Sequence, residues 1–413
     1  MTASPDVILR VQRLFPVSDG ATWDAFLDLR PDSEPFAPVL VDGLDAMSKG
    51  ILRHPLLRAD AASVALAFWL RKASLGRLVA AFAERQTGSP ERLLVPAGRV
   101  FHVAPANVDT LFVYSWALAF AAGNASVVRL SQRRTPVVEA LLAVLAEVAV
   151  GHPELATRNR FVTYAHDAEV SGLFSGWCDE RVIWGGDDTV QTLRGVPLAP
   201  HAGERAFASK FSYAAVDAAA YLAMNDEKRS KVAAGFFNDL FWFGQQACSS
   251  PQILFWVGSE ADASWARGLF ATLLEAETGR RGWSVDAATA NERRLTAFDL
   301  ALRADVTVDL SRAAFVDVGA SGLGALDKTS CAGGLVRHVH VARLDDVVPL
   351  IDAGDQTLAH AGFTPETLRT FARRAGSRGL DRVVPIGQAL AFEPTWDGFD
   401  VLADVTRVVT CRA

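Results

Sequence analysis

The chain has 413 residues, half of them apolar and 21% charged, with a formal net charge of −6. That length exceeds one ordinary hydrophobic core and implies two or three structural units, while the composition excludes a disordered or fibrous chain. Mild acidity without long like-charge runs excludes a nucleic-acid-binding surface.

The opening Met-Thr-Ala-Ser-Pro-Asp-Val lacks the basic-then-apolar pattern of a secretory leader, so a cytoplasmic protein is expected. Apolar spacing of three and four predicts helix over residues 23–29 and 61–82, making 1–91 a helical lead-in to a first lobe. From Arg92 short β-rich runs alternate with helical ones: a strand at 100–104, a helix at 109–122, a strand at 126–130 and a helix at 136–150. In the last of these Leu141, Leu145 and Val148 share a face, and Pro136 suits a first helical turn. The run 111–122 is too short for a bilayer core of about 30 Å, so no membrane span is expected. Runs at 160–164 and 181–184 continue the sheet. Such alternation predicts βαβ units in a largely parallel sheet.

A second α/β unit begins near 211, with a strand at 211–216, a helix at 226–243, a strand at 252–257, an apolar run with two histidines at 335–344 and a last strand at 382–386. The expected division is 1–91 as lead-in, 92–210 as a dinucleotide-binding lobe, 211–385 as a catalytic lobe and 386–413 as a C-terminal extension serving oligomerisation. Cysteines at 178, 248, 331 and 411 show neither CxxC nor Cys/His spacing, so free thiols are expected, with no metal site and no disulfide framework.

Four segments carry chemistry. Gly-Gln-Gln-Ala-Cys-Ser-Ser-Pro (244–251) places Cys248 between an aromatic-rich helix and a strand, where a thiol near a helix terminus with small neighbours can ionise and meet a substrate; the alternative is a buried structural cysteine. Val-Phe-His-Val-Ala-Pro-Ala-Asn (100–107) stops a strand at Pro105 and presents Asn107, whose amide can donate to a developing oxyanion or serve as a turn or cap. Ala-Gly-Asn-Ala-Ser-Val-Val-Arg-Leu-Ser (122–131) brings Arg129 and Ser131 to the carboxyl end of a strand, where ligands of open α/β sheets gather. Val-Ile-Trp-Gly-Gly-Asp-Asp-Thr (182–189) sets Gly185 and Gly186 between strand and helix, where backbone N–H groups can approach a pyrophosphate.

Taken in this order, the segments resemble the aldehyde dehydrogenase superfamily, and within it the acyl-CoA reductase branch typified by the bioluminescence fatty acid reductase, the LuxC-like enzymes. Pro-Ala-Asn resembles the superfamily's Pro-Trp-Asn element, and Gln-Gln-Ala-Cys-Ser-Ser-Pro the branch's nucleophile loop; Trp396-Asp397-Gly398 also fits. The resemblance covers roughly 92–405 and implies a Rossmann-type cofactor lobe beside a second α/β lobe carrying a nucleophilic cysteine. It makes Cys248 the nucleophile, Asn107 with the Cys248 N–H the oxyanion hole, and Pro105, Arg129, Ser131, Gly185, Gly186 and Lys210 cofactor residues, Lys210 having the alternative of a solvated lysine entering a strand. Arg133 and Arg134 beside Ser131 favour NADPH, with NADH the alternative. His201 is the acid–base candidate; a surface-loop histidine is the competing reading.

Two departures from the family matter. The glutamate that activates water in aldehyde-oxidising members has Arg205-Ala206-Phe207 in its place, and the ribose-binding glutamate is replaced within Thr-Ser-Cys-Ala-Gly-Gly (329–334). The implied activity is reduction of a long-chain acyl thioester through acyl-Cys248, with acyl-CoA, a carrier or an acylated synthetase as donor and an acyl-protein synthetase as partner, in a homo-oligomer. An aldehyde-oxidising dehydrogenase and a non-catalytic cofactor-binding subunit are the alternatives.

Overall fold

The structure is a computed structural model that describes residues 5–17, 22–87 and 91–412. Residues 1–4, which open the stretch examined for a leader, lie outside the described residues. The chain divides into two units, one comprising 1–208 with 392–413 and the other 209–391.

In the first unit the strands are β1 (Gln12–Phe15), β2 (Arg92–Pro96), β3 (Arg99–Val103), β4 (Ala125–Arg129), β5 (Asn159–Thr163), β6 (Glu180–Trp184) and β7 (Gly203–Phe207). All but β2 form a sheet in the order β1-β5-β4-β3-β6-β7, parallel except for β1 on β5. Chain order runs outward from β3 in both directions, so the switch point, the crevice where open α/β sheets bind ligands, lies at the carboxyl ends of β3 and β6. The central strands β3 and β4 are largely apolar and buried, as strands covered on both faces by helices are. Phe101, Val127, Val162 and Ile183 pack on Phe174 and Trp177 on one side. The Leu111–Ala121 helix is buried along its whole length, which explains its uniformly apolar sequence. Gly123 follows it at φ 90°, and a Cβ there would stand 2.9 Å from the Ser33 carbonyl oxygen.

The second unit holds β8 (Phe211–Asp217), β9 (Ile253–Val257), β10 (Val306–Asp309), β11 (Val316–Ala320), β12 (Leu335–Val341), β13 (Asp355–Ala361) and β14 (Arg382–Pro385). Their order is β10-β11-β12-β9-β8-β13-β14, with β10 antiparallel to β11 and the rest parallel. One face packs under the Asp226–Phe241 and Glu260–Arg280 helices, capped by Asn225 and Ser259. The other packs under the Pro365–Gly376 helix through Phe371 and Ala375.

Several expectations need correction. The lead-in contains helices Trp23–Leu27, Pro38–Arg53, Ala61–Leu70 and Lys72–Thr87, together with strand β1. The boundary expected at 210/211 falls at 208/209. Residues 386–413 are not a single extension: Asp239 accepts hydrogen bonds from the Gly387 and Ala389 N–H groups, keeping that stretch in the second unit. From Phe392 the chain belongs to the first unit. There β15 (Thr395–Trp396) and β16 (Phe399–Asp400) form a hairpin through Asp397 and Gly398, both at positive φ, as an Asp-Gly turn requires. Trp396 and Phe392 pack on Tyr114, and β17 (Thr406–Thr410) pairs with β2.

Candidate active site

The segment carrying Cys248 is fixed before the cysteine is reached. After the Asp226–Phe241 helix the chain turns through Gly244 at φ 57° and Gln245 at φ 65°. A left-handed non-glycine residue costs about 1 to 3 kcal/mol, and here the Gln245 side chain offsets it. Its Nε2 donates to the Pro251 and Leu335 carbonyls at 3.0 and 2.9 Å, and its Oε1 accepts from the Gly334 and Leu335 N–H groups at 2.9 and 3.1 Å. Both ends of the buried amide are thereby satisfied. A second glutamine, Gln252, donates to the Gln245 carbonyl and accepts from the Cys331 N–H at 3.1 Å. With the Gly333 N–H donating to the Gly244 carbonyl at 2.8 Å, segment 244–252 is stapled to segment 331–335. The Thr-Ser-Cys-Ala-Gly-Gly stretch, notable in sequence for a missing carboxylate, is thus part of the scaffold that holds the Cys248 segment.

Cys248 lies in a turn ahead of β9 and is partly exposed. Gln356 Nε2 donates to its Sγ at 3.1 Å, and Ser212 Oγ donates to its carbonyl at 2.7 Å. The Thr357 N–H donates to that serine oxygen at 3.2 Å, and Thr357 Oγ1 donates to Gln356 Oε1 at 3.3 Å. Ser212, Gln356 and Thr357 are fully buried. The four side chains and backbones therefore close a ring around the cysteine. The other thiols are differently placed: Cys178 and Cys331 are buried, burial pushing Cys178 up to about 12 and Cys331 upward, while Cys411 is exposed near the chain end. The expectation that a helix terminus aids ionisation of Cys248 is corrected, because the adjoining helix presents its carboxyl end, which disfavours an anion.

Lys210 also differs from its cofactor assignment. Its ammonium donates to the Ala353 and Asp355 carbonyls at 2.9 and 3.2 Å and pairs with Asp381 at 2.9 Å. Those bonds tie the approach to β8 to the starts of β13 and β14, so all three donors have protein acceptors. Nearby, Lys328 and Tyr213 hold the buried Asp355 carboxylate at 2.8 and 3.0 Å. Sequence reasoning missed Gln356 because its strand opens Asp-Gln-Thr, three polar residues without the alternation that marks a strand. The signal that could have found it is a polar triplet directly ahead of an apolar run.

In the first unit Pro105 and exposed Asn107 follow β3, and Arg129 ends β4. Pro105, Ser131, Arg133, Arg134 and Thr135 line an open surface cleft at the ends of these strands. The Arg129 guanidinium lies 4.6 Å from the Tyr164 ring centroid, and its buried Nε has no partner among the described residues. Arg134 is paired with Glu139 at 2.6 Å. Gly185 and Gly186 follow β6, Gly186 capping the Asp187–Arg194 helix. Asp187 and Asp188 occupy that helix's first turn, so its amino end already carries negative charge. His201 sits in an exposed turn ahead of β7 in the first unit. On β7 itself, Arg205 pairs with Asp404, and Glu204 is held by Arg181 and Arg194. Among the described residues no group of three or more His, Cys, Asp or Glu stands together as a metal site, and no helix is long and apolar enough to cross a membrane.

Residues 76–408 match the family described as Acyl-CoA reductase (LuxC). A long-chain acyl-protein thioester reductase 2 from Photobacterium leiognathi is 27% identical over 172 residues, covering 41% of this chain and 34% of that protein. A long-chain acyl-protein thioester reductase from Photorhabdus laumondii subsp. laumondii is 22% identical over 324 residues, covering 76% of this chain and 63% of that protein. The chain thus spans less than two thirds of either relative's length. Aldehyde dehydrogenase 21 from Physcomitrella patens superposes with a TM-score of 0.62 at 12% identity, covering 90% of this chain and 84% of that one. The fold is therefore that of the aldehyde dehydrogenases.

Proposed function

The chain belongs to the acyl-CoA reductase (LuxC) family, and on that premise we propose that it reduces an acyl thioester to the aldehyde through an acyl group carried on Cys248. The observation that carries this reading is the setting of Cys248, a partly exposed thiol in a stapled loop with a buried amide donor at its sulfur. The substrate class follows from the two relatives, both named for long-chain acyl-protein thioesters; acyl-CoA presents the same thioester.

The fit of the residues to a nicotinamide dinucleotide rests on the switch-point topology, the cleft beside β3 and β4, and the unpartnered Arg129 Nε. Arg129, Ser131 and Arg133 would hold the ribose and a 2′-phosphate, with Pro105, Gly185 and Gly186 flanking the dinucleotide, which favours NADPH over NADH. The acidic turn after Gly186 leaves phosphate charge to the arginines. When bound, the cofactor supplies the hydride that takes the acyl carbon to the aldehyde level.

Cys248 attacks the thioester carbon as thiolate, its S–C bond forming as the donor's S–C bond breaks. The Cys248 N–H is an oxyanion donor in this scheme, and the resemblance assigns the Asn107 amide the same role. Hydrolysis of the acyl-enzyme is disfavoured because Arg205-Ala206-Phe207 stands where aldehyde-oxidising members of the superfamily carry the glutamate that activates water. The test is product analysis: long-chain acyl-CoA should drive NADPH oxidation with stoichiometric trapped aldehyde. Reduction of NADP by aldehyde and water, without CoA and without thioester-dependent NADPH oxidation, would reverse the reading toward an aldehyde oxidiser.

A further inference from the structure

The geometry points to Gln356 as a catalytic residue that stabilises the Cys248 thiolate each time it forms, by direct amide donation to the sulfur. This rests on the thioester-reductase reading above. In that reaction Cys–S⁻ plus R–CO–SR′ gives R–CO–S–Cys plus R′S⁻, and R–CO–S–Cys plus hydride from a reduced nicotinamide gives R–CHO plus Cys–S⁻. Neither half-reaction gains or loses a proton overall. The sulfur must leave as thiolate as well as attack as thiolate, and a general base at sulfur is not required by the balance. What serves both directions is a neutral donor, which favours the anion without itself changing charge.

Gln356 meets that need. Its Nε2 is 3.1 Å from Sγ, and the Thr357 hydroxyl donating to Oε1 orients the amide with nitrogen toward sulfur. Full burial holds the amide in place. The start of its strand is clamped by Lys210 through the Ala353 and Asp355 carbonyls and Asp381, and the Asp381 N–H donates to the Gln356 carbonyl at 3.0 Å.

The ionisable groups nearest the start of these strands include Lys210 and Tyr213 from β8 and its approach, Asp355 from β13, and Asp381 ahead of β14. Lys328 and Cys331 come from the segment before β12, Arg337 from β12, and Asp239 from the preceding helix. Most have protein partners: Lys210 pairs with Asp381, Lys328 and Tyr213 with Asp355, Arg337 with Asp327, and Asp239 accepts from the Gly387 and Ala389 N–H groups.

The test is the pH dependence of Cys248 alkylation by iodoacetamide, read at that residue by peptide mass spectrometry in the full chain without cofactor. Gln356→Ala should raise the midpoint by about one pH unit, as loss of a hydrogen bond to an anion implies. Gln356→Glu, which sets a carboxylate against the sulfur, should raise it further, and Thr357→Val, which frees the amide to rotate, should raise it less. Aldehyde formation at neutral pH should fall about tenfold in Gln356→Ala and recover as pH rises through the new midpoint. A merely structural role would lower the rate at every pH and leave the midpoint in place. An unmoved midpoint in folded Gln356→Glu and Thr357→Val overturns the inference even where the acyl-enzyme forms. A moved midpoint with no acyl adduct from any thioester upholds the thiolate donor and overturns the reductase reading instead.

Discussion

Gln245 adopts a left-handed backbone in the segment that carries Cys248, and its buried amide satisfies four backbone groups from residues 251, 334 and 335. Gln245→Ala leaves those groups unpaired in a dry site, where each costs about 1 kcal/mol or more. The expected loss is about 3 kcal/mol, measured by denaturant unfolding, together with a slower alkylation of Cys248 at every pH. Wild-type stability in that variant would show that the staple is idle. In the other unit, Arg133 lines the cleft beside Ser131 while neighbouring Arg134 is committed to Glu139. Arg133→Ala should raise the KM for NADPH about tenfold, the equivalent of one charge-assisted hydrogen bond, and leave the KM for NADH nearly unchanged. Equal effects on both cofactors would remove Arg133 from the 2′-phosphate.

At the scale of strands, the two units use opposite ends of their sheets. In the first, the candidate residues follow the carboxyl ends of β3, β4 and β6, as the switch-point rule expects. In the second, Cys248 stands ahead of β9 and is met by Ser212 and Gln356 from the amino ends of β8 and β13. Two strands also carry buried histidines. His102 on β3 bonds Ser115 Oγ and is pushed down to about 3 by burial. His338 on β12 accepts from Trp256, contacts Asp317 and is pushed down to about 4 by burial. Both lie below the unfolded value of about 6.5, so the unfolded chain takes up these protons first. The stability from neutral histidines is complete above about pH 6.5 and is lost as pH falls through the range down to the folded values. Asp239 and Glu180, raised by burial to about 7 and about 8, act with the opposite sign, their contribution declining as pH rises toward those values. Comparison with His338→Gln isolates one histidine. Between pH 6 and 5 the wild type should lose up to about 1.4 kcal/mol more than the variant; parallel curves would mean that His338 charges freely in the fold.

Across the whole molecule, the parts legible in sequence were those with strong local physics. The apolar strands at 100–104, 126–130 and 252–257 and the buried helix near 111–121 announced two α/β lobes, and the Cys248 segment stood out by its chemistry. Less legible were elements whose character depends on distant partners. β13 opens with Asp355, Gln356 and Thr357, polar residues that are fully buried because β8 and segment 244–252 supply their hydrogen bonds. Lys210 resembled a cofactor residue from its neighbours in sequence, yet its acceptors lie 143 to 171 residues away. His201 offered only proximity in sequence, and it lies on an exposed turn. The central claim, acyl transfer to Cys248 followed by reductive release, is tested most directly by intact-protein mass spectrometry. Wild type and Cys248→Ala are incubated with a long-chain acyl-CoA without cofactor, and NADPH is then added. The account predicts one acyl adduct on wild type only, discharged as aldehyde when NADPH arrives. An adduct that persists in Cys248→Ala, or that leaves as free acid after NADPH addition, would contradict it.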